Sequence, residues 1–457
     1  MTGVAGLGFL GFRNFVTDPF GEAGNALRHP GYGPLLPDPK GILKLPQGFS
    51  YRIISRRGDR MDDGLLVPGN PDGMAAFAGP HGKTILVRNH ENKPDTLDQG
   101  AFGLKNELLP RLDARHFYDY GQGKAPGLGG TTTLVYDHRT GTVERQFLSL
   151  AGTSRNCAGG PTPWGSYISC EETSAKPDGS NFWEKAHGYN FEVPASTQIG
   201  LAEPLPIKGM GRFTHEAVAV DPRTSIVYMT EDRSDGLIYR YIPHTPEKLL
   251  RGGTLQALVI RDQRKTDTRN WPKLNEPTFP QGERFAVEWL TLDNVESPED
   301  DLRYRGHTKG AAVFARGEGM WFGNQEVYFA CTNGGRLAKG QVFRYMPSLY
   351  EGTPQEKSEP GHLELFVEPN NQDLAKHCDS LTVAPWGDVI LCEDHKRSSV
   401  VGVTPQGDFS KLAENTGFSS EFSGGVFSPS GETYFVNLQA VGLTLAITGP
   451  WGAIREA

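Results

Sequence analysis

The stretch EAVAVDPRTSIVYMTED, residues 216–232, decides the predicted fold. Two runs of β-branched and apolar residues flank Asp221-Pro222, a dipeptide that favours a turn, so the stretch predicts a β-hairpin. The same order of an apolar run, a Gly- or Pro-containing turn, a second apolar run and a polar cluster recurs along the chain. The further copies cover residues 77–91, 159–172, 318–333, 379–394 and 424–437.

Six hairpins of this kind predict an all-β protein, a six-bladed β-propeller with loop and helical insertions. Strand-like runs at 237–242, 341–346 and 400–404 would supply the outer strands of the blades. The copies are unevenly spaced, and the longest polar insertion, about 262–305, is predicted to be a surface loop or cap. A β-sandwich or a pair of β domains is the alternative that this pattern leaves open.

The predicted propeller occupies residues 30–457 as a single domain. Residues 1–29 are predicted to be an N-terminal arm or the remnant of an export signal, because residues 4–12 are apolar and rich in small side chains. No run approaches the length of a membrane-spanning helix, which argues against stable membrane insertion.

The composition narrows the classes of partner and site. A net charge of −8 argues against a nucleic-acid partner and is compatible with bound cations. Five cysteines are present, and none forms a C-x-x-C pair. Zinc-ribbon and thioredoxin-like sites are therefore excluded.

The hairpin geometry predicts where the polar residues gather. The residue that opens the first arm and the residue that closes the second lie at the same end of an antiparallel hairpin. Arranged radially, the hairpins would bring these residues to one mouth of the central channel. The pairs are Cys157 with Glu172, Glu216 with Asp232, Glu318 with Asn333, and Asp379 with Asp394.

Such a concentration of carboxylates repels itself unless multivalent cations are shared among them. Oxygen ligands suit calcium or magnesium, and a thiolate beside them favours a transition metal such as iron. The pattern therefore predicts a mixed metal site. The alternatives are ordinary turn chemistry for the acidic residues and a buried free thiol for Cys157.

Arg316, two residues before Glu318, is either a surface charge or a phosphate-binding guanidinium. Glu91 and Glu421 are left open between turn caps and site residues. The chain has no G-x-S-x-G elbow and no P-loop, and no serine or threonine stands out as a nucleophile. A hydrolase of this sequence would therefore depend on metal-activated water.

Several segments resemble the PhoX-type alkaline phosphatases and their uncharacterised relatives, and they follow the family's order from about residue 30 to 440. Asp63-Gly64 and 87–91 (VRNHE) match early in the chain. The other matching segments are 156–172 (NCAGGPTPWGSYISCEE), 211–216 (GRFTHE), 316–319 (RGEG), 379–382 (DSLT) and 421–431 (EFSGGVFSPSG).

The resemblance implies a six-bladed propeller that carries two ferric ions and three calcium ions joined by a bridging oxo group. It implies hydrolysis of phosphate monoesters and export by the twin-arginine route, hence a periplasmic or secreted protein. By position, Cys157 would be the thiolate ligand of iron, and Arg316 would hold the substrate phosphate. Glu216 and Glu318 would be catalytic carboxylates of the cluster, completed as metal ligands by Glu172, Asp232 and Asp379.

This chain departs from the family in three respects. It is shorter than the well-studied members, and residues 1–29, where an export signal is expected, contain no twin-arginine pair. The spacing around Asp232 differs by a few residues, which makes Asp235 an alternative ligand.

Together with the metal-site pattern, the resemblance implies a metal-dependent phosphatase that acts on small-molecule phosphate esters, and a monomer is expected. Two alternatives stay open: a calcium-dependent propeller lactonase or esterase, and a non-catalytic calcium-binding propeller. The preferred ester does not follow from the sequence.

Overall fold

The computed structural model describes residues 31–274, 278–371 and 373–452. The predicted N-terminal arm or signal remnant, residues 1–29, lies outside the described residues. The described residues are organised almost entirely as β-strands, with one α-helix, α1 (Leu302–Lys309), and short 3-10 turns. None of their helices combines the length and hydrophobicity that crossing a bilayer requires.

The strands fall into successive units along the chain. Three strands come first: β1 (Leu35–Leu36), β2 (Leu43–Pro46) and β3 (Ser50–Arg56). The first unit contains β4 (Pro71–Ala78), β5 (Thr84–His90), β6 (Gly129–Asp137) and β7 (Thr142–Thr153). The second unit contains β8 (Asn156–Pro161), β9 (Ser166–Glu171) and β10 (Asn190–Pro194).

The third unit contains β11 (His215–Val220), β12 (Val227–Glu231), β13 (Ile238–Pro243) and β14 (Gly253–Ile260), and β15 (Arg284–Thr291) follows it. The fourth unit contains β16 (Gly317–Gly323), β17 (Glu326–Cys331), β18 (Gln341–Met346) and β19 (His362–Val367). The fifth unit contains β20 (Cys378–Val383), β21 (Val389–Glu393), β22 (Ser399–Val403) and β23 (Phe409–Asn415). The sixth unit contains β24 (Phe422–Phe427), β25 (Thr433–Leu438) and β26 (Leu443–Thr448).

The units are arranged as a propeller. Consecutive strands of each unit pair antiparallel, and the first strands β4, β8, β11, β16, β20 and β24 pack against one another in a closed ring. The predicted all-β propeller class is therefore confirmed. Hydrogen bonding divides the described strands into five sheets, because β15 pairs with both β14 and β19 and joins the third and fourth units.

The N-terminal strands close the ring. β3 pairs antiparallel with β26 and so supplies the outer strand of the sixth unit. β2 pairs with β23 and extends the fifth unit. Phe49 and Trp451 pack edge to face with ring centroids 4.7 Å apart, which fastens the two ends of the chain to each other.

The core lies between neighbouring sheets. The largest cluster of buried side chains joins the third and fourth units, and Phe329 stacks on Phe343 in it with centroids 5.2 Å apart. The insertion predicted at about 262–305 is only partly a loop, because it contains β15 and part of α1. Its Trp271 Nε1 donates to the Asn333 carbonyl at 2.7 Å, so the insertion covers the loop that follows β17.

Candidate metal centre

Each of the six first hairpins in the described chain has a β-bulge at the same place. The strand register shifts once near the start of the inner strand, for example between His215 and Val218 in β11. A bulge bends the strand and re-aims its side chains. The residues that open the six bulges are Asp72, Cys157, Glu216, Glu318, Asp379 and Gly424.

Five of the six bulges therefore open with a side chain that can bind a metal. The residue that follows is always small: Gly73, Ala158, Ala217, Gly319, Ser380 and Gly425. A Cβ on Gly73 would lie 2.6 Å from the Cα atom of Ala158, and one on Gly319 would lie 2.6 Å from the carbonyl oxygen of Asp379. Small residues thus allow the inner strands to converge on the axis.

Strained backbone precedes four of these bulges. Two residues before the bulge opens, a non-glycine residue adopts the left-handed conformation: Asn70 (φ 43°), Arg155 (φ 50°), Arg316 (φ 50°) and His377 (φ 49°). This conformation costs free energy for such residues, and it concentrates at functional sites. Left-handed non-glycine residues also occur elsewhere in the described chain, but the recurrence of this conformation at one position of four units agrees with a functional role for this end of the channel.

The bulge residues and the residues after the second strands form three overlapping groups of metal-binding side chains. Within each group, one ligand atom of every member lies within 4.8 Å of the others. The groups are Asp72, Glu91 and Cys157; Cys157, Glu172 and Glu216; and Glu216, Glu318 and Asp379. Cys157 and Glu216 each belong to two groups, so the three are joined into one continuous cluster.

The structure thus brings together five of the residues that the sequence analysis proposed as metal ligands: Cys157, Glu172, Glu216, Glu318 and Asp379. Their roles as ligands remain predictions. The sixth, Asp232, lies outside the three groups but adjoins them: it pairs with Arg316, and its hydrogen bond and charge contribute, after burial and the charge of Glu91, to the raised pKa of Glu172.

Arg316 and Asp232 form a two-point ion pair beside the cluster. Arg316 Nε donates to Asp232 Oδ1 at 2.7 Å, and Nη2 donates to Oδ2 at 2.9 Å. Arg316 Nη2 also lies 2.9 Å from Glu318 Oε1. Asp235, the alternative ligand, instead accepts a bond from Arg303 Nε at 3.2 Å.

A second arginine holds the other side of the cluster. Arg155 Nη2 lies 2.9 Å from Glu91 Oε1 and also contacts Glu172 Oε2. The guanidinium therefore bridges two of the three groups. Asp72 is fixed by Gln439, whose Nε2 donates to its Oδ2 at 2.7 Å.

Burial and mutual repulsion raise the pKa values of the clustered acids. Burial is the largest cause of the raised pKa of Glu216, and the negative charges of Glu172 and Asp379 raise this pKa further. Burial and the charge of Asp394 raise the pKa of Asp379 to about 7. Burial, followed by the charge of Asp72, also raises the pKa of the Cys157 thiol. Without cations, this cluster resists ionisation.

The donor set fits a group of bound cations. Glu216 is 1% exposed, and neither of its carboxylate oxygens has a hydrogen-bond partner among the described residues. A buried carboxylate without a donor is costly, and a metal ion removes that cost. The carboxylates suit a hard cation, whereas the thiol of Cys157 suits a transition metal.

The sequence analysis missed Asp72 and Arg155 and left Glu91 undecided. Asp72 was overlooked because the first hairpin was predicted to begin at Phe77, whereas β4 begins at Pro71. The available signal was the metal-binding residue followed by a small one, Asp72-Gly73, which matches Glu216-Ala217.

Glu421, also left undecided, lies close to the cluster without joining the three groups. Burial and a hydrogen bond with Asp394 raise the pKa of Glu421 to about 11. His215 packs against Phe213 with ring centroids 3.6 Å apart, as a packed neighbour of Glu216.

Comparison with known protein families identifies a matching family. A family described as "Alkaline phosphatase PhoX" matches residues 30–140 and 127–442, which cover most of the chain and all the clustered residues. No curated protein matches the chain.

Solved structures resemble the chain only distantly. A gluconolactonase from Xanthomonas campestris is 12% identical over 93% of this chain and 99% of its own, with a TM-score of 0.38. The PQQ domain of a pyranose dehydrogenase from Coprinopsis cinerea is 11% identical over 90% and 98%, with a TM-score of 0.32. Scores this low bear on neither the fold nor the activity.

Proposed function

The chain belongs to the PhoX family of alkaline phosphatases, and on that premise we propose that it hydrolyses phosphate monoesters with metal ions held by the carboxylate and thiol cluster. The observation that carries the proposal is Glu216, a buried carboxylate shared by two ligand groups and without a hydrogen-bond partner among the described residues. A cation bound beside this residue would remove the free-energy cost of burying its ionised carboxylate.

We assign the metals by the chemistry of the ligands. Cys157 would hold iron, because thiolate favours a transition metal over calcium. The carboxylates of Asp72, Glu216, Glu318 and Asp379 would hold iron and calcium ions between them. When bound, such ions would polarise the phosphoryl oxygens of an ester and neutralise the charge that develops during hydrolysis.

Arg316 would position the ester. Its side chain is 36% exposed, and Asp232 and Glu318 hold its Nε and Nη2 atoms. The Nη1 atom remains to donate to a phosphate oxygen, and the pair with Asp232 fixes the plane of the guanidinium. The predicted metal role of Asp232 is the alternative to this positioning role.

Metal analysis and an activity assay test the proposal together. Protein produced with its export signal should contain iron and calcium, and it should hydrolyse p-nitrophenyl phosphate at alkaline pH. If the protein contains calcium without iron and hydrolyses a lactone but not the phosphate ester, the result would contradict the phosphatase proposal and support a propeller lactonase. If the protein binds metal but hydrolyses neither substrate, the result would support a non-catalytic calcium-binding propeller.

Export to the periplasm or the medium belongs to the same proposal. Cell fractionation of the native host tests it, and recovery of the protein in the cytoplasm would contradict it.

A further inference from the structure

The loops around the candidate metal centre carry a group of positively charged side chains that the proposed function does not use. We call this group the basic rim: Arg336, Lys339, Lys376, Lys396 and Arg397. Its members follow the second strands of the fourth and fifth units or precede the first strand of the fifth. Those loops lie at the end of the propeller where the inner strands carry their bulges.

Backbone hydrogen bonds join these loops into one surface. The His377 amide donates to the Lys339 carbonyl at 2.6 Å, and the Asp394 amide donates to the His377 carbonyl at 2.9 Å. Lys339 Nζ lies 3.2 Å from His377 Nε2. Since His377 is two residues before Asp379, the basic rim begins directly beside the cluster.

The basic rim has an acidic neighbour but, in the part of the chain that the structure describes, no close ion pair. Burial raises the pKa of Glu393 and the charge of Lys376 partly offsets the rise, while Glu393 Oε1 accepts from the Lys376 amide at 3.0 Å. Among the described residues, none of its five side chains forms an ion pair with a carboxylate within 4.0 Å. Other cations at the same end are paired: Arg233 with Asp300, and Arg269 with Asp267. In a chain of net charge −8, cations gathered on one side of an acidic cluster without close ion pairs form a local positive region that attracts anionic ligands.

The field of the basic rim extends to the edge of the metal centre. After burial, the charges of Lys376 and Lys339 are the largest causes that lower the pKa of His395. Asp394, the exposed carboxylate next to His395, lies between the basic rim and the cluster, because its amide donates to the His377 carbonyl two residues before Asp379. Asp394 thus marks the boundary between the basic rim and the cluster.

We propose that the basic rim binds a second phosphate group of the substrate, so that phosphate monoesters carrying two phosphate groups, such as sugar bisphosphates, are preferred over those carrying one. This inference rests on the proposed function. The reaction is still hydrolysis: water attacks phosphorus, the ester P–O bond breaks, inorganic phosphate is released, and the alcohol oxygen takes up a proton from the water. The phosphate on the basic rim stays attached and keeps the product charged.

The preference should depend on salt, because exposed charges are screened over about 10 Å at 0.1 M ionic strength. The lysines act as point charges, so the second phosphate can occupy more than one position along the rim. The site is therefore expected to select for charge rather than for one particular sugar.

Paired substrates test the inference. The metal-loaded enzyme is assayed with glucose 1,6-bisphosphate and with glucose 6-phosphate, and the ratio of the two kcat/KM values is compared between variants. In Lys339→Ala/Lys376→Ala the ratio should fall about fivefold at low salt, mainly through KM for the bisphosphate. Lys339→Arg/Lys376→Arg should retain the preference.

Lys248→Ala/Lys357→Ala is the matched control. It removes the same charge from exposed loops between third and fourth strands, at the opposite end of the propeller. The ratio should not change in this variant. An equal fall in the control, or a wild-type enzyme that hydrolyses both substrates equally well, would overturn the inference while leaving the phosphatase proposal intact.

Calorimetric binding of glucose 1,6-bisphosphate gives a readout that needs no turnover. The alanine variant should bind it about fivefold more weakly than wild type at low salt, and the difference should shrink as salt is added. Equal affinity would contradict the basic-rim proposal. Failure of the wild-type enzyme to hydrolyse either ester, with the binding difference intact, would count against the phosphatase proposal alone.

Discussion

Glu216 and Cys157 connect the candidate ligand groups, because each belongs to two of the three groups, whereas every other clustered residue belongs to one. Loss of a terminal member such as Glu91 disturbs one group. Loss of Glu216 disturbs two groups: the one that it forms with Cys157 and Glu172, and the one that it forms with Glu318 and Asp379. The cluster should therefore respond very unevenly to single substitutions.

Glu216→Gln should have opposite effects on function and on the metal-free protein. Turnover of a phosphate ester should fall by more than about 100-fold, because two groups lose a carboxylate ligand. Metal-free protein should become more stable at neutral pH, because the amide is already neutral, whereas folding forces the Glu216 carboxyl to take up a proton that the unfolded chain releases. Metal analysis and denaturant unfolding measure the two effects.

Glu351→Gln is the control for buried carboxylates that do have partners. Glu351 lies 2.6 Å from Arg240 Nη1, so its substitution should lower stability by about 1–3 kcal/mol. If the metal-free Glu216→Gln protein were destabilised to the same extent, Glu216 would be an ordinary structural carboxylate.

Arg316→Lys should raise KM for p-nitrophenyl phosphate by about tenfold while the metal content stays unchanged. A lysine keeps the charge but loses the planar fork that Asp232 orients. Arg269→Lys, which alters an arginine paired with Asp267 in the insertion, should not change KM.

Asp232→Asn separates the two roles proposed for Asp232. If this residue orients Arg316, as their ion pair indicates, KM should rise and the bound metals should remain. Loss of calcium or iron from the variant would instead support the ligand role that the family resemblance implies.

At the scale of the elements, the inner strands are one repeated design. Each combines a bulge, a small residue after it and, in five of six, a metal-binding side chain that opens the bulge. The sixth strand has Gly424 at that place. Its φ is +62°, and a Cβ there would lie 2.1 Å from the Asp72 carbonyl oxygen. The exception therefore leaves room for the first unit to approach the sixth.

Gly424→Ala should destabilise the protein by about 2–4 kcal/mol, because strain and a backbone clash act together. It should also weaken metal binding at Asp72, whose backbone must move. Gly165→Ala is the matched control, since its φ is +87° but nothing lies within 4 Å of the added Cβ. It should cost only about 1 kcal/mol. Thermal unfolding of both variants checks this, and equal losses would contradict the clash.

The hairpins explain what the sequence could and could not predict. Alternation and turn residues identified the strands, and hairpin geometry placed Cys157, Glu216, Glu318 and Asp379 at one end. The pairing of Arg316 with Asp232, 84 residues apart, depends on how neighbouring units pack, and no local pattern records that. The pairing of β15 with β19 was likewise missed, because the insertion that contains β15 has a polar composition.

On the scale of the whole molecule, the cluster exists only while the ring is closed. Its members come from five units, and β3 closes the ring by pairing with β26. Closure forces acidic residues into one volume, and the raised pKa values of Asp379 and Glu216 report the cost of that arrangement. Bound cations and ring closure should consequently stabilise each other.

Metal removal should therefore make stability depend on pH. The pKa of Asp379 is raised from 3.8 to about 7 in the folded, metal-free protein, so the folded state holds a proton that the unfolded chain releases. Stability should be highest near and below about pH 4 as far as this group is concerned, and should fall as pH rises from about 4 towards 7.

The measurement is the melting temperature at about pH 5 and about pH 8, with and without a chelator. The chelated protein should melt at a lower temperature at the higher pH, and the metal-loaded protein should show a smaller difference, because ligands that bind cations are already ionised. Asp379→Asn should remove part of the pH dependence from the chelated protein. Identical pH profiles with and without metal would mean that the acids are neutralised by the protein itself, and that the ring closes without cations.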